Sequence, residues 1–402
     1  QFLKICDVLN AVNPGDLLTL NIEKVAHGGL CVARHDGVVV FVRHALPGET
    51  VEAKLISLAP GKRSWFAQTV KVISPSSHRI QPKCEFFKAD GCGGCDWQHA
   101  DSGFQRELKL QVLVEQLERF GQVPNASDIC SINAVEPSES NWRTRIRLVA
   151  NQDGEWGFRK TRSHEVQVID KCVIADNSIN DILKNLPAGN PDEEVLIVKS
   201  KEDTIVYPVE KRAPSAPNAI QEVDGHDFAV AGDGFWQVHP GAASALSNQI
   251  KKSIKGLQIE SFADLYAGVG VLAHSILQEF PLAQGFVVEA DRSAAQNAKI
   301  NLKDFKNVQI SSDRVDRWIR SVKNKFDVVI LDPPRSGAGQ NVMQQVCNQT
   351  LQKIIYIACD PAALARDVLI AKKYGWKLET VVAFDLFPQT HHIESVAILV
   401  HE

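Results

Sequence analysis

The sequence predicts an α/β protein: a Rossmann-like, doubly wound C-terminal domain preceded by an OB-like β-barrel and a central α+β domain. Three observations carry this. From about residue 225, short apolar runs alternate with helical stretches, the pattern of parallel strands joined by crossover helices. Between Asp16 and Ile73 every apolar run is short and bounded by turn residues, the pattern of a small barrel. Ile354-Ile355-Tyr356-Ile357-Ala358 reads as a buried strand, and it ends in Cys359 before a turn, Asp360-Pro361. A thiol there stands at the strand end where open α/β sheets place their ligand crevice. The boundaries expected are 14–75, 76–230 and 231–402.

Composition narrows the class. A chain of 402 residues can hold two or three cores. Its 44% hydrophobic and 23% charged residues are those of a soluble globular protein. No apolar run approaches the ~18 residues needed to span a bilayer, and residues 1–12 lack the layout of a signal peptide. Nine cysteines, an odd number, argue against a secreted disulfide framework and for a reducing, cytoplasmic setting. A net charge of -4 means that any contact with nucleic acid must come from local basic patches.

In the barrel region Leu18, Leu20 and Ile22 alternate, and His27-Gly28-Gly29 turns the chain. Asp36-Gly37 is a hairpin signal before the strand Val38–Val42. Pro47-Gly48 leads into Val51–Leu55, and Phe66 to Ile73 closes the set. Lys62, Arg63, Trp65 and Phe66 offer charge and stacking to RNA, or else form a solvated loop with two core aromatics.

Next come Cys84 and Cys92-Gly93-Gly94-Cys95. Two thiols separated by two residues can grip one metal centre, and the glycines let backbone N–H groups face sulfur. Cys172, which also follows a strand, is the expected fourth ligand. Spacing does not separate structural zinc from an iron–sulfur cluster, since both accept four thiolates. Cys6, Cys31, Cys130 and Cys347 read as packing residues. Over 101–121, Phe104, Leu108, Val112, Leu113, Leu117 and Phe120 recur at helical spacing, with Gly121 as C-cap.

A basic hairpin follows. Arg143, Arg145 and Arg147 alternate with apolar residues and are expected on one strand face; the turn Asn151-Gln152-Asp153-Gly154 leads to Arg159, Lys160 and Arg162. Six cations with interleaved aromatics are the footprint of phosphate contact and base stacking.

In the C-terminal domain, Phe262–Leu265 runs into Tyr266-Ala267-Gly268-Val269-Gly270, and the next strand ends in Glu289. In doubly wound folds the glycines admit a ligand to the backbone and the acid takes ribose hydroxyls. A dinucleotide site would prefer a third glycine where Ala273 stands, so with Asp264 the pattern suits S-adenosylmethionine, which has no pyrophosphate. Phe326–Leu331 ends in Asp332-Pro333-Pro334-Arg335, a rigid acidic lip of the kind that sits beside the methyl donor in nucleobase methyltransferases. Glu394 precedes the apolar run Val396–Val400, and His391 and His392 either act with it or cap the turn.

These groups suit one reaction. Uracil C5 is a poor nucleophile until a thiolate adds to C6; a base must then remove the C5 proton so that the thiol can leave. Cys359, Glu394 and the Gly268–Glu289 site meet that need, and the helix start after Pro361 would lower the pKa of Cys359.

With these motifs, and with Gly157-Phe158-Arg159-Lys160, Phe235-Trp236-Gln237-Val238, Ala365-Arg366-Asp367 and His392-Ile393-Glu394-Ser395, the chain resembles the RNA uracil-C5 methyltransferase family. It is most similar to the 23S rRNA branch, which carries a TRAM domain and a four-iron, four-sulfur cluster. The resemblance implies Cys359 as nucleophile and Glu394 as proton acceptor. It implies Gln237, Tyr266, Glu289 and Asp332 as S-adenosylmethionine contacts, and an iron–sulfur cluster rather than zinc on Cys84, Cys92, Cys95 and Cys172. It also implies that the helix at 101–121 packs on the catalytic domain. The expected partner is 23S rRNA, with the enzyme a cytoplasmic monomer away from membranes. Two departures stand out: seven residues separate Cys84 from Cys92 where the family has five, and His239 replaces the usual Asn. Alternatives are a tRNA uracil-C5 enzyme, a base N-methyltransferase that needs no thiol, and an RNA-binding module with a vestigial catalytic domain.

Overall fold

A computed structural model of the chain describes residues 12–59, 64–161, 163–209 and 217–401. Its contacts divide into two compact units. The first holds the chain up to Val112 together with Phe158–Gln167 and Pro388–His392; the second holds Leu113–Gly157, Val168–Phe387 and the chain from Ile393 onward.

In the first unit β1 (Leu17–Val25), β2 (Cys31–His35), β3 (Val38–Arg43), β4 (Thr50–Leu58) and β5 (Ser64–Ser74) close into a barrel in the order β1-β2-β3-β5-β4. Alternation does this: Leu18, Leu20 and Ile22 point inward while their neighbours face out. Asp36 and Gly37 both have positive φ, 48° and 82°, as the two-residue turn between β2 and β3 requires. Trp65 is fully buried in this core, so it is not a stacking surface for RNA. Phe66, one residue on, faces the other way and stacks on Phe41 with ring centroids 5.4 Å apart. Lys62 and Arg63 lie outside the described residues.

Helix α1 (Ser102–Arg119) starts where the Asp101 carboxylate accepts the Phe104 N–H. Leu108 and Val112 pack with Val25, Leu46 and Trp97 in the first unit. The last turns of α1 belong to the second unit, where a Cβ on Gly121 would stand 3.4 Å from the Ala365 carbonyl. The chain continues through β6 (Cys130–Ala134), β7 (Arg145–Ala150), β8 (Trp156–Arg159), β9 (Val166–Val168), α2 (Asn177–Asn185), β10 (Glu194–Lys199) and β11 (Thr204–Pro208). β10 lies antiparallel between β7 and β11. A hairpin of β12 (Asn218–Val223) and β13 (His226–Ala231) precedes α3 (Ala242–Ile254).

The second unit is built on an eight-stranded sheet. Its later elements are β14 (Ser261–Leu265), α4 (Val271–Glu279), β15 (Gln284–Glu289), α5 (Arg292–Asn301), β16 (Val308–Ser312), α6 (Val315–Ser321), β17 (Phe326–Leu331), α7 (Gly339–Gln349), β18 (Thr350–Ala358), α8 (Pro361–Lys372), β19 (Trp376–Asp385) and β20 (Glu394–His401). The strand order is β16-β15-β14-β17-β18-β20-β19-β6. The strands from β16 to β18 run parallel, and β20 enters antiparallel between β18 and β19. β17 and β18 are buried on both faces, which is why they read as unbroken apolar runs. One layer of the core packs Leu246, Ile250, Leu272 and Ile276 of α3 and α4 against Phe262, Val287, Ile330, Ile355 and Val396 of the sheet. This is the Rossmann-like methyltransferase fold with an N-terminal barrel.

Candidate active site

The second unit gathers Cys359, Glu394, Asp332, Glu289, Tyr266 and Gln237 about the carboxyl ends of β14, β15, β17 and β18. The Tyr356 end of β18 pairs with Ala397, and Ala358 pairs with Ser395. Continuing that register one place sets Cys359 opposite Glu394. Side chains on adjacent antiparallel strands have Cβ atoms about 4.5–5.5 Å apart, so thiol and carboxyl are neighbours. Glu394 is buried, at 3% exposure.

The electrostatics differ from expectation. Burial pushes the Cys359 thiol up to about 12; the Glu394 and Asp332 carboxyls add to this and the Arg335 guanidinium opposes it. The start of α8 does not lower the thiol pKa. The Asp360 side chain accepts the Ala363 N–H at 2.8 Å and so brings a negative charge to that helix end. Glu394 is itself raised well above the ordinary carboxylate range by burial and by Asp332, against Arg335. Asp332 is raised by burial and by Glu289.

The glycine turn is built around two acids. Glu289 accepts the Gly268 N–H at 2.9 Å and the Asp291 N–H at 2.7 Å, one on each oxygen. Tyr266 takes φ +63°, and Gly268 (+56°) and Gly270 (+90°) follow it into the first turn of α4. A Cβ on Gly270 would stand 2.9 Å from Leu302, so this position also needs glycine for space. Asp264 is fully buried and accepts the Ala273 N–H at 2.9 Å, while its other oxygen has no partner. Burial pushes Asp264 up to about 8, with Asp332 and Glu289 adding and the Ala273 hydrogen bond opposing.

A cleft of about 510 Å³, open to solvent, lies over this turn; Phe235, Trp236, Gln237, Tyr266, Gly268 and Asp332 are among its lining residues. Phe235 stands at the cleft with 73% of its surface exposed. The segment that presents Gln237 is gripped from β7 and the residue before it. Thr144 donates both its N–H and its hydroxyl to the Val238 carbonyl, at 2.8 and 2.9 Å. Arg145 donates to the carbonyls of Gly232 (2.5 Å) and Gly234 (2.8 Å). His239 is buried; its Nδ1 accepts the Gly241 N–H, which leaves Nε2 to donate to the Pro137 carbonyl.

Three residues without an assigned role in the sequence thus serve the site. Asp264 stands just before the glycine turn. Arg145 was expected to face RNA and instead braces the donor loop. Asp367 accepts the Tyr356 hydroxyl at 2.6 Å and the Ala338 N–H at 2.7 Å, and so holds the loop that follows Asp332-Pro333-Pro334. The shared face expected for Arg143, Arg145 and Arg147 is not formed: Arg145 is buried, Arg147 is exposed beside Glu194, and the Arg143 guanidinium lies over Trp142. Lys160 pairs with Glu165 at 2.7 Å, and Arg162 lies outside the described residues.

The expected metal centre is not found. Among the described residues no three His, Cys, Asp or Glu side chains are grouped to hold an ion. The loop from Cys84 to Cys92 instead closes on itself, with the Phe87 N–H on the Cys84 carbonyl, the Gly91 N–H on Lys88 and the Cys92 N–H on Phe86. One element of the expectation holds: the Gly94 N–H donates to the Cys92 sulfur at 3.4 Å. As placed, Cys84, Cys92, Cys95 and Cys172 do not fit a cluster.

Similarity to known proteins agrees with this arrangement. A family model described as tRNA (Uracil-5-)-methyltransferase matches residues 264–402, and a TRAM domain model matches residues 11–66. The chain is 35% identical to an "uncharacterized RNA methyltransferase" of Streptomyces avermitilis, covering 96% of this chain and 98% of that one. It is 36% identical to a second of that description from Streptomyces coelicolor, covering 96% and 93%. Among solved structures it is similar in fold to the Pyrococcus abyssi tRNA (uracil-54, C5)-methyltransferase in complex with S-adenosyl-L-homocysteine. That likeness has a TM-score of 0.73 at 21% identity and covers 95% of this chain and 99% of that one.

Proposed function

Since the chain belongs to the RNA uracil-5-methyltransferase family, we propose that it methylates C5 of a uridine in 23S rRNA from S-adenosylmethionine, with Cys359 as nucleophile and Glu394 as base. The observation that carries this reading is the cross-strand placement of Cys359 and Glu394 beside the acidic lip at Asp332.

The cleft suits the donor. Apolar walls accept an adenine, Glu289 stands at a strand end where ribose hydroxyls are taken, and Asp332 offers negative charge to a cation. When bound, S-adenosylmethionine supplies an electrophilic methyl group on a sulfonium. The buried carboxyl of Asp332 pays for its desolvation only when a positive charge is near it, so the site favours a cationic occupant over a neutral one. That same cation offsets the carboxylates that hold the Cys359 thiol neutral.

The thiolate of Cys359 adds to uracil C6, and the C5=C6 electron pair moves to C5, which then takes the methyl carbon. Glu394 next removes the C5 proton; the C–H pair re-forms C5=C6 and the C6–S bond breaks, returning the electrons to Cys359. Burial makes Glu394 a strong base once ionised. Methyl transfer from a sulfonium moves no net electrons, and no step is drawn through the four cysteines.

The test is direct. Cys359→Ala and Cys359→Ser should form no adduct with 5-fluorouridine RNA and transfer no methyl; turnover at the wild-type rate by either variant would sink the covalent mechanism. Mapping 5-methyluridine in rRNA and tRNA, with and without the protein, decides the target: loss from tRNA alone would replace 23S rRNA as the substrate.

A further inference from the structure

Three residues before Ile393 are bolted into the barrel unit. Gln389 donates its N–H to Gln105 Oε1 at 2.8 Å and accepts from Gln105 Nε2 at 3.0 Å, an amide pair closed in both directions. The Gln389 carbonyl accepts the N–H groups of Asp96 (2.9 Å) and Trp97 (3.0 Å). His391 brings both its N–H (3.2 Å) and its ring Nδ1 (2.7 Å) to Asp96 Oδ2. Gly29 lies so close to this imidazole that an added Cβ would stand 2.5 Å from the His391 Cβ. Gln105 and Trp97, which hold the other side, are themselves buried. All of these residues belong to the first unit.

This network is dense for a connection between two strands, and its polar contacts go to one short segment, 389–391. A solvated turn would need none of them. The segment ends at His392, and Ile393 alone then separates it from Glu394, the first residue of β20. Backbone held at one end and paired in a sheet at the other leaves a side chain between them little freedom.

We infer that Asp96 and His391 are positioning residues for the base: the barrel unit holds the strap Pro388–His392, and the strap sets the backbone from which Glu394 reaches the C5 proton. This rests on the assignment of Cys359 and Glu394 above. It separates two steps of the reaction. Addition of Cys359 to C6 and methyl transfer to C5 do not use Glu394, whereas proton removal from C5, with return of the C6–S electrons to sulfur, does. Loosening the strap therefore slows release from the methylated adduct and leaves its formation unchanged.

The experiment uses the full chain, S-adenosylmethionine labelled in the methyl group, and total RNA from cells lacking the protein. Single-turnover reactions are followed for label entering RNA and for label held in a protein–RNA adduct that survives denaturing electrophoresis. With Asp96→Ala or His391→Ala, adduct formation should stay within about twofold of wild type while release slows about tenfold or more, so methylated adduct accumulates on ordinary RNA. Asp96→Asn keeps an oxygen acceptor for His391 and should restore most of the release rate. If the two steps slow equally, if neither changes, or if Asp96→Asn is no better than Asp96→Ala, the inference fails. Glu394→Gln is the control for the underlying reading. Adduct accumulation there without accumulation in the strap variants overturns the strap alone; no accumulation in Glu394→Gln overturns the assignment of the base.

Discussion

Cys359 and Glu394 face each other across β18 and β20, and each makes ionisation of the other more costly. The thiol is pushed up to about 12, so at neutral pH in the free protein it is protonated and slow to react. Alkylation of Cys359 by iodoacetamide, read by peptide mapping, should rise with pH throughout the range 7 to 9. Glu394→Gln removes one opposing charge. It should speed alkylation at pH 8 by about tenfold for each unit by which the thiol pKa falls. An unchanged rate would mean that the two groups do not sense each other.

Asp264 gives a second pH signature. Its carboxyl is raised to about 8 in the folded state, above the ordinary value near 3.9 of an unfolded chain. A raised pKa contributes stability that is complete below the unfolded value and is lost as pH climbs through the folded one. Asp264→Asn keeps an acceptor for the Ala273 N–H and cannot ionise. The melting temperature of the variant relative to wild type should therefore rise between pH 5 and pH 8, by at least about 3 °C. A constant difference across that range would show Asp264 to be ionised throughout.

Arg145 and Arg147 should part company when mutated. Arg145 holds the carbonyls of Gly232 and Gly234 from a buried position, so Arg145→Lys leaves part of that demand unmet. It should cost about 1–3 kcal/mol of stability and weaken S-adenosylhomocysteine binding by calorimetry. The salt dependence of RNA binding should not change. Arg147 is exposed, and Arg147→Ala should reduce the salt slope of RNA affinity by about 0.7 if it meets one phosphate of a single strand. Donor binding should be unaffected.

Asp367 collects the Tyr356 hydroxyl and the N–H groups of Ala338 and Gly339. Asp367→Ala leaves three donors without their acceptor and should destabilise the protein by about 3 kcal/mol. Tyr356→Phe removes one bond only and should cost about 1 kcal/mol. Because the loop they hold follows Asp332, both should lower kcat more than they raise KM for RNA.

Much of this was legible in the sequence. Cys359 and Asp332 stand directly after apolar runs that a proline turn interrupts, and a buried parallel strand leaves that mark whatever surrounds it. Other features depend on partners distant along the chain. Arg145 alternates as an exposed strand residue would, and only the carbonyls near residue 233 bury it. Nothing in Cys130–Ala134 announces that it pairs with Val381–Asp385 at the edge of the sheet. The pKa of Cys359 follows from two carboxyls brought to it by β17 and β20, against which a helix start already met by Asp360 weighs little.

The pairing of β18 with β20 turns chemistry into counting. Because the side-chain period of a strand is two residues, a slip of one place would carry Glu394 to the far side of the sheet with the backbone almost unmoved. The catalytic distance is thus stored as an integer, which thermal motion cannot erode gradually. It also makes the two positions interchangeable sockets: another acid–base side chain at 394 would arrive at the same place beside the thiol, so new reactivity can be tried there without redesigning the scaffold.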